Sequence, residues 1–245
     1  MDSFRVNRDY IVSMDLQYLN ELDHQLTLAI NGSESIFWDC VMYTVTNTFS
    51  WSLVILALLV IIFKNNTWRE ALVVILFIGL LIFVADRLCS GIVKPTVTRW
   101  RPTQDPQLMY MLDVVRGYRG GRFGFFSGHG CNTFCMAMFL SWLFRNGKVT
   151  AVLFFWAATT TFTRLYLGVH YLGDVVVGLL VGCLLGIVFY FLLAYVQKRM
   201  GVSRLISEHF TPTGYLRSDM DAFLAVVFLN YIGVVIFAMT QVAKF

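Results

Sequence analysis

The stretch Leu165–Gly186, LYLGVHYLGDVVVGLLVGCLLG, decides the fold because it joins a helix-packing pattern to two ionisable residues. Five of its residues recur at every fourth position: His170, Asp174, Gly178, Gly182 and Gly186. On a helix such residues form one slowly drifting stripe. The glycines form a small-xxx-small repeat, which lets membrane helices approach closely. If this stripe packs inward, the imidazole and the carboxylate above it face protein rather than lipid.

Composition places the chain among helical membrane proteins. Of the 245 residues, 58% are hydrophobic and 14% are charged, and long apolar runs recur along the sequence. The five cysteines show no CxxC or Cys/His spacing, so the sequence indicates neither a disulfide framework nor a zinc site. A net charge of +4 gives no reason to propose a nucleic-acid partner, since membrane lipids or an anionic substrate account for it.

We expect an all-α fold in one membrane domain over residues 1–245. An amphipathic helix over about residues 8–31, with Asn31-Gly32 as its stop, is predicted to lie at the membrane surface. A helix that binds a partner protein is the alternative. A bundle of six membrane spans is predicted to follow, at about residues 36–63, 68–93, 127–144, 149–166, 172–197 and 222–242.

Two features within these spans carry further expectations. The first half of the first span is polar, so it either faces other helices or bonds its hydroxyl groups to its own carbonyls. Lys94-Pro95 is predicted to end the second span, because the residue before proline avoids the helical region. The following loop, residues 95–126, then lies on the same membrane side as the 165–172 turn.

This topology brings three polar clusters to one membrane face: Lys94 with Arg101, then Ser127-Gly128-His129 at a helix start, then Arg164 with His170 and Asp174. Three cations and the free N–H groups of a helix start suit a phosphate group. Two histidines add a nucleophile and a proton donor. Each cluster alone has an ordinary structural explanation, such as a serine N-cap or an interhelical hydrogen bond. Their combination indicates phosphate chemistry, whereas His24 and His209 lack such neighbours and are expected at the surface.

Three motifs resemble the signature of the type 2 phosphatidic acid phosphatase (PAP2) superfamily: KPTVTRWRP at 94–102, FSGH at 126–129 and TRLYLGVHYLGD at 163–174. The resemblance implies a metal-independent phosphatase without a cofactor, working through a phosphohistidine. By position it makes His170 the nucleophile, Asp174 its partner and His129 the general acid. It makes phosphate ligands of Lys94, Arg101, Ser127, Gly128 and Arg164. Phe126 and Thr163 replace the usual proline and serine, and neither departure removes a catalytic group.

The expected substrate is a lipid phosphate or diphosphate, with undecaprenyl diphosphate and lipid A phosphate favoured. Arg116, Arg119 and Arg122 precede the Ser-Gly-His helix and suit a headgroup with more than one phosphate, although they also suit neighbouring lipids or solvent. Phosphatidylglycerophosphate or phosphatidate phosphatase activity is the alternative. A further alternative is a transporter or scaffold that binds an anion without reacting. Transporters usually show repeat symmetry and broken central spans, and the sequence shows neither. The family also includes vanadium haloperoxidases with a similar oxyanion pocket, but those are soluble, and the six predicted apolar spans speak against that activity here.

The expected location is a bacterial inner membrane, with the active site facing the periplasm. Once Lys94, Arg101 and Arg164 are discounted as phosphate ligands, the two predicted faces carry equal numbers of lysine and arginine. The positive-inside rule therefore does not decide the orientation. The resemblance and the short turns near Lys64 and Lys148 favour an extracytoplasmic site.

Overall fold

The structure is a computed structural model in which residues 17–204 and 207–242 are described. Within these ranges the regular structure is helical apart from two isolated bridge pairs, which confirms the all-α fold class. The helices are α1 (17–30), α2 (Ile36–Val45), α3 (Ser52–Asn65), α4 (Trp68–Asp86), α5 (Lys94–Val97), α6 (Gly128–Phe144), α7 (Gly147–Tyr166), α8 (Leu172–Arg199) and α9 (Arg217–Val242). A π-helical segment, Arg87–Val93, joins α4 to α5.

Four helical segments of the described chain are long and apolar enough to cross a membrane: Thr48–Asn65, Trp68–Val97, Leu172–Arg199 and Arg217–Val242. The protein is therefore a multi-pass membrane protein. The full set of six spans is not shown, because α6 and α7 are not among these segments. α6 has only 17 residues, and α7 carries Lys148, Arg164 and a run of threonines. That α6 and α7 cross the membrane remains a prediction.

The prediction of one continuous first span over residues 36–63 is wrong, because the helix breaks between α2 and α3. The side chain of Asn47 caps a 3₁₀ turn at Thr48–Trp51. The Ser50 hydroxyl then donates to the Thr44 carbonyl at 2.7 Å. Side chains thus satisfy backbone groups that a continuous helix would have paired internally. The apolar part of this region consequently begins near residue 48.

The second predicted span, residues 68–93, continues further than expected. Lys94-Pro95 does not end the helix, because the backbone passes through the π segment into α5 with Pro95 in its first turn. The helical backbone ends instead at Thr98, whose φ of 52° is left-handed. This extension places Lys94 on helical backbone at the edge of the site.

α6 and α8 form the centre of the bundle. Three glycines of α8 are buried against the α6 backbone: Gly178, Gly182 and Gly186. An added Cβ at these positions would press on the carbonyl oxygens of Ser127, Cys131 and Cys135, respectively. The glycine stripe therefore packs inward, and it fixes α8 against the start of α6.

The helix ends collect at two opposite ends of the bundle. One end holds the α3–α4 turn and the start of α9, joined by a 2.6 Å bond from Lys64 Nζ to Asp219 Oδ1. The end of α6 lies there too, because Phe144 packs on Tyr215 with ring centroids 5.0 Å apart. The other end holds α1, the long loop after α5 and the α7–α8 turn. The three polar clusters predicted to share one face meet at this second end.

α1 lies across the second end. It ends before Asn31-Gly32, where Gly32 has a φ of 65°, and Leu28 packs near Tyr171. Its apolar residues Tyr18 and Leu19 remain 69% and 57% exposed. Residues 8–16 of the predicted amphipathic helix lie outside the described residues. The exposed apolar side chains suit the membrane surface, and that location remains a prediction.

Candidate active site

His170 and Asp174 form a buried pair where the α7–α8 turn enters α8, with exposures of 1% and 0%. His170 Nδ1 lies 3.4 Å from Asp174 Oδ2. The backbone N–H of Tyr171 donates to the same oxygen at 3.2 Å. The Asp174 carbonyl accepts from the Ser127 backbone N–H at 2.9 Å. The Asp174 carboxylate is thus fixed by its own turn, and its backbone is fixed against the start of α6.

Arg101 determines which nitrogen of His170 carries the proton. Arg101 Nη1 lies 3.1 Å from His170 Nε2, and a guanidinium group only donates hydrogen bonds. Nε2 must therefore be the acceptor, and Nδ1 carries the hydrogen that points at Asp174. Arg101 is itself fixed, because it donates to the carbonyls of Phe123 and Val169, each at 3.2 Å. This tautomer leaves a lone pair on Nε2, as a nucleophilic histidine requires.

The cations of the three clusters act together on His170. The pKa of His170 lies well below its ordinary value of 6.5, first because the ring is buried and then because of the charges of Arg101, Arg164 and Lys94. These cations come from three separate parts of the chain. The imidazole is therefore neutral near neutral pH and lies in a strongly positive pocket.

α6 begins beside Lys94. The Ser127 side chain caps the helix by accepting from the Gly130 backbone N–H at 3.2 Å. A Cβ at Gly128 would lie 3.3 Å from Cys89 Sγ and 3.7 Å from Lys94 Nζ. Glycine at this position therefore leaves space between the helix start and the ammonium group. Free backbone N–H groups beside a cation suit an anionic ligand.

Arg164 is 2% exposed and is held by two neighbours that sequence reasoning did not identify. It donates to Thr46 Oγ1 at 2.7 Å through Nη1 and to the Tyr118 hydroxyl at 3.0 Å through Nη2. Its Nε has no hydrogen-bond partner among the described residues. The side chain is thus oriented in advance, with one buried donor available to a phosphate oxygen.

His129 lies in the first turn of α6 and lines an apolar cavity of about 440 Å³. Thr46, the partner of Arg164, lines the same cavity, so the cavity reaches the polar cluster. Further apolar side chains continue the lining towards the middle of the bundle: Leu58, Ile78, Met136, Leu140 and Trp156. The cavity therefore joins one proposed catalytic histidine to an apolar space.

The sequence motifs and this geometry agree with a match to a family model, "PAP2 superfamily", over residues 71–198. The chain belongs to the PAP2 superfamily. It is 38% identical over 186 residues to "Lipid A 4′-phosphatase" of Bacteroides thetaiotaomicron, which covers 76% of this chain and 83% of that protein. It is 32% identical over 184 residues to "Lipid A 4′-phosphatase" of Porphyromonas gingivalis, covering 75% and 78%.

A solved structure shares the fold. It is the crystal structure of a transmembrane PAP2 type phosphatidylglycerolphosphate phosphatase from Bacillus subtilis, with a TM-score of 0.54 and 23% identity. The match covers 77% of this chain and 90% of that one. As a PAP2 superfamily member, the protein is a membrane lipid phosphatase, a phosphomonoesterase.

The three arginines predicted to meet a headgroup each contact the PAP2 fold itself. Arg119 Nη1 donates to the Thr103 carbonyl at 2.9 Å, which braces the long loop. The Arg122 guanidinium stacks over the Trp100 ring at 4.5 Å, and that of Arg116 lies 5.3 Å from the Tyr43 ring centroid. All three remain exposed. A headgroup role is thus still a prediction, and Arg119 also has a structural one.

Sequence reasoning missed two residues that complete the PAP2 site. Arg99 lies inside the first motif, and its Nη1 donates to Asp174 Oδ1 at 2.8 Å. Its Nη2 donates to Asp23 Oδ2 of α1, also at 2.8 Å. Burial by itself lowers the pKa of Arg99, but Asp174 and Asp23 raise it above its ordinary value. The third basic residue of the motif was a sequence signal for Arg99, whereas no local pattern marks Asp23.

His24 also lies closer to the PAP2 site than predicted. It was expected at the surface without neighbours, but its ring stacks on Tyr171 with centroids 5.5 Å apart. The Tyr171 hydroxyl donates to Asp105 Oδ2 at 2.7 Å. The stacking of His24 on Tyr171 joins α1 to the residue that follows His170. His24 is therefore part of the support around the site rather than a solvated side chain.

Proposed function

We propose that this PAP2 phosphatase removes the 4′-phosphate of lipid A at the outer face of a bacterial inner membrane. The observation that carries the proposal is the similarity, over three quarters of the chain, to two proteins named lipid A 4′-phosphatase. Undecaprenyl diphosphate is included as a second test substrate, because the sequence analysis favoured it together with lipid A phosphate.

In the first step, His170 Nε2 attacks phosphorus and forms an N–P bond while the bond from phosphorus to the sugar oxygen breaks. Nδ1–H remains on the ring, where Asp174 stabilises the charge that develops. His129 donates a proton to the departing oxygen. Arg101, already within hydrogen-bond distance of Nε2, exchanges the ring nitrogen for a phosphate oxygen.

In the second step, water attacks the phosphohistidine and His129 takes up its proton. The N–P bond breaks, inorganic phosphate leaves, and His170 returns to its starting tautomer. Lys94, Arg164 Nε and the start of α6 stabilise the negative charge on the phosphate in both steps. No described group of three or more His, Cys, Asp or Glu side chains is arranged to hold a metal ion. The chemistry assigned here uses histidine and fixed cations only.

The apolar cavity beside His129 supports a lipid rather than a water-soluble phosphate. Its volume of about 440 Å³ and its lining suit part of an acyl chain while the phosphate stays among the cations. Arg116 and Arg122 are the proposed contacts to a second phosphate of the headgroup. They lie on the loop that closes the same end of the bundle, and both guanidinium groups are positioned over aromatic rings.

A lipid panel tests the proposal. Purified protein is given lipid A bisphosphate, undecaprenyl diphosphate, phosphatidylglycerophosphate or phosphatidic acid at equal surface density, and released phosphate is measured. We expect lipid A to be the preferred substrate, with activity that persists in EDTA and is absent in His170→Ala. A preference for phosphatidic acid would overturn the substrate. An absence of phosphate release from every lipid would favour a protein that binds anions without reacting.

Separate variants examine the headgroup contacts. We expect Arg116→Ala and Arg122→Ala to reduce the preference for lipids with two phosphates over lipids with one. Arg119→Ala should also lower the stability of the protein, because it loses the bond to the Thr103 carbonyl. An unchanged ranking of lipids in an Arg116/Arg122 double alanine variant would remove these residues from the headgroup site.

A further inference from the structure

A continuous chain of charged contacts connects the N-terminal helix to the proposed nucleophile. It runs from Asp23 Oδ2 to Arg99 Nη2 at 2.8 Å and from Arg99 Nη1 to Asp174 Oδ1 at 2.8 Å. From Asp174 Oδ2 it reaches His170 Nδ1 at 3.4 Å. Each oxygen of Asp174 therefore has a different task, one towards Arg99 and the other towards His170.

The arginine in this chain is fixed on several sides. Its guanidinium lies 4.2 Å from the centroid of the Tyr171 ring, and its two terminal nitrogens bind carboxylates from different elements. The planar fork of arginine suits such a double contact, which the single ammonium of lysine does not reproduce. Arg99 thus fixes the plane of the Asp174 carboxylate.

Asp23 makes a second contact near Asp174, in addition to its bond to Arg99. Its Oδ1 accepts from the Gly173 backbone N–H at 2.9 Å, in the first turn of α8. A Cβ at Gly173 would lie 2.7 Å from Asp23 Oδ2, so the absent side chain lets α1 approach. One carboxylate of α1 therefore holds both Arg99 and the backbone beside Asp174.

We infer that Asp23 and Arg99 are positioning residues, which hold the Asp174 carboxylate so that its Oδ2 faces His170. Asp23 belongs to α1, which lies outside the residues 71–198 that match the family. The N-terminal helix is accordingly a working part of the active site rather than only a membrane-surface attachment. The inference rests on the proposed roles of His170 and Asp174.

The test compares kinetics of Asp23→Asn, Arg99→Lys and the control Glu21→Gln. Glu21 is an exposed residue of α1, and among the described residues its side chain accepts a hydrogen bond only from Gln25 of the same helix. Misorientation of a catalytic group costs up to about a hundredfold in rate. We expect kcat to fall about tenfold to a hundredfold in Asp23→Asn and Arg99→Lys while KM changes little. Glu21→Gln keeps both constants, and Asp23→Glu recovers part of kcat.

A second comparison separates positioning from simple attachment of α1. Leu28→Ala weakens the packing of α1 near Leu108, Leu112 and Tyr171 without removing a charge. In the Asp174→Asn background, Asp23→Asn should lower the rate less than about twofold further, because the two residues act through one contact chain. Two results would show that Asp23 only attaches the helix. One is a fall in kcat in Leu28→Ala as large as that in Asp23→Asn, and the other is an equal effect of Asp23→Asn in the wild-type and Asp174→Asn backgrounds.

The outcomes also distinguish this inference from the proposed mechanism. Wild-type turnover in His170→Ala and Asp174→Asn would reject the mechanism itself. Loss of turnover in His170→Ala and a strongly lowered but measurable turnover in Asp174→Asn, together with wild-type kcat in Asp23→Asn and Arg99→Lys, would reject only the positioning role.

Discussion

At the scale of single residues, His170 lies between a group that only donates hydrogen bonds and a group positioned to accept one. Arg101 Nη1 at 3.1 Å and Asp174 Oδ2 at 3.4 Å therefore select one tautomer before any substrate arrives. The nearby cations oppose a positive charge on the ring in the free enzyme. A phosphate dianion would offset those cations, so the charge that develops on His170 during attack is better tolerated with substrate bound.

The pKa of His170 gives a direct measurement at this scale. Because burial and the charges of Arg101, Arg164 and Lys94 lower it, the neutral ring persists below pH 6.5. We expect ¹⁵N-histidine spectra of the detergent-solubilised protein to show an Nδ1–H ring that does not protonate until the pH is below 6.5. The signal is assigned by its loss in His170→Ala. Protonation at or above pH 6.5, or an Nε2–H tautomer, would contradict the geometry.

The motif residues could be located from the sequence because their spacing is fixed by local structure. His170 and Asp174 are one helical turn apart, and Ser127 begins a helix as an N-cap. Their supporting residues could not be located in this way. Thr46, Tyr118 and Asp23 reach the site from distant segments, and such contacts leave no period in the sequence.

At the scale of helices, the glycine stripe of α8 controls the distance to α6. A Cβ at Gly182 would press on the Cys131 carbonyl, whereas a Cβ at Gly233 of α9 would meet no atom of the described residues within 4 Å. We expect Gly182→Ala to lower the free energy of unfolding by about 1–3 kcal/mol, as overpacking does. Gly233→Ala should leave it unchanged or raise it slightly, because alanine favours the helix. Unfolding in SDS titrations measures both, and equal stabilities would argue against close backbone packing.

The apolar cavity provides a second test at this scale. Met136→Trp narrows the cavity that His129 lines, whereas Ala158→Trp fills a separate groove between α2, α7 and α9. Losing the burial of two methylene groups costs about 1.6 kcal/mol, or about fifteenfold in affinity. We expect kcat/KM for a long-chain lipid phosphate to fall by about that factor in Met136→Trp only. Equal losses for a short-chain, water-soluble phosphate would show that the site, not the chain contact, was damaged.

The helices were more predictable than their interruptions. Residues 172–197 were predicted as a span, and α8 runs over Leu172–Arg199 because its apolar run is uninterrupted. The break between α2 and α3 depends on where polar side chains find partners, such as Ser50 on the Thr44 carbonyl. Composition alone does not determine which polar side chain in an apolar run bonds its own helix and which one opens it.

At the scale of the whole molecule, the two ends of the bundle differ in what they hold. The end with Lys64, Asp219 and Tyr215 holds two short turns and the α8–α9 connection, and side-chain bonds join these elements. The other end holds α1, the long loop and the site. The sequence predicts equal numbers of lysine and arginine on the two membrane faces once the phosphate ligands are discounted. The orientation of the protein in the membrane therefore has to be measured.

Cysteine labelling decides the orientation. Gln107 is an exposed residue of the long loop, and Lys148 is exposed at the opposite end of the bundle. We expect a membrane-impermeant maleimide to label Gln107→Cys in intact spheroplasts and Lys148→Cys only after permeabilisation. The wild-type protein is the control, because four of its five cysteines are buried and Cys183 is half-buried. The reverse labelling pattern would place the active site in the cytoplasm.

The most direct measurement of the central claim is covalent trapping of phosphate on His170. The protein is mixed with a ³²P-labelled phosphate ester that has a good leaving group and is quenched in alkali, where phosphohistidine is stable. We predict a labelled protein in wild type and, more persistently, in His129→Ala, which lacks the group that activates water. His170→Ala should carry no label and release no phosphate. Label or turnover in His170→Ala would contradict the account.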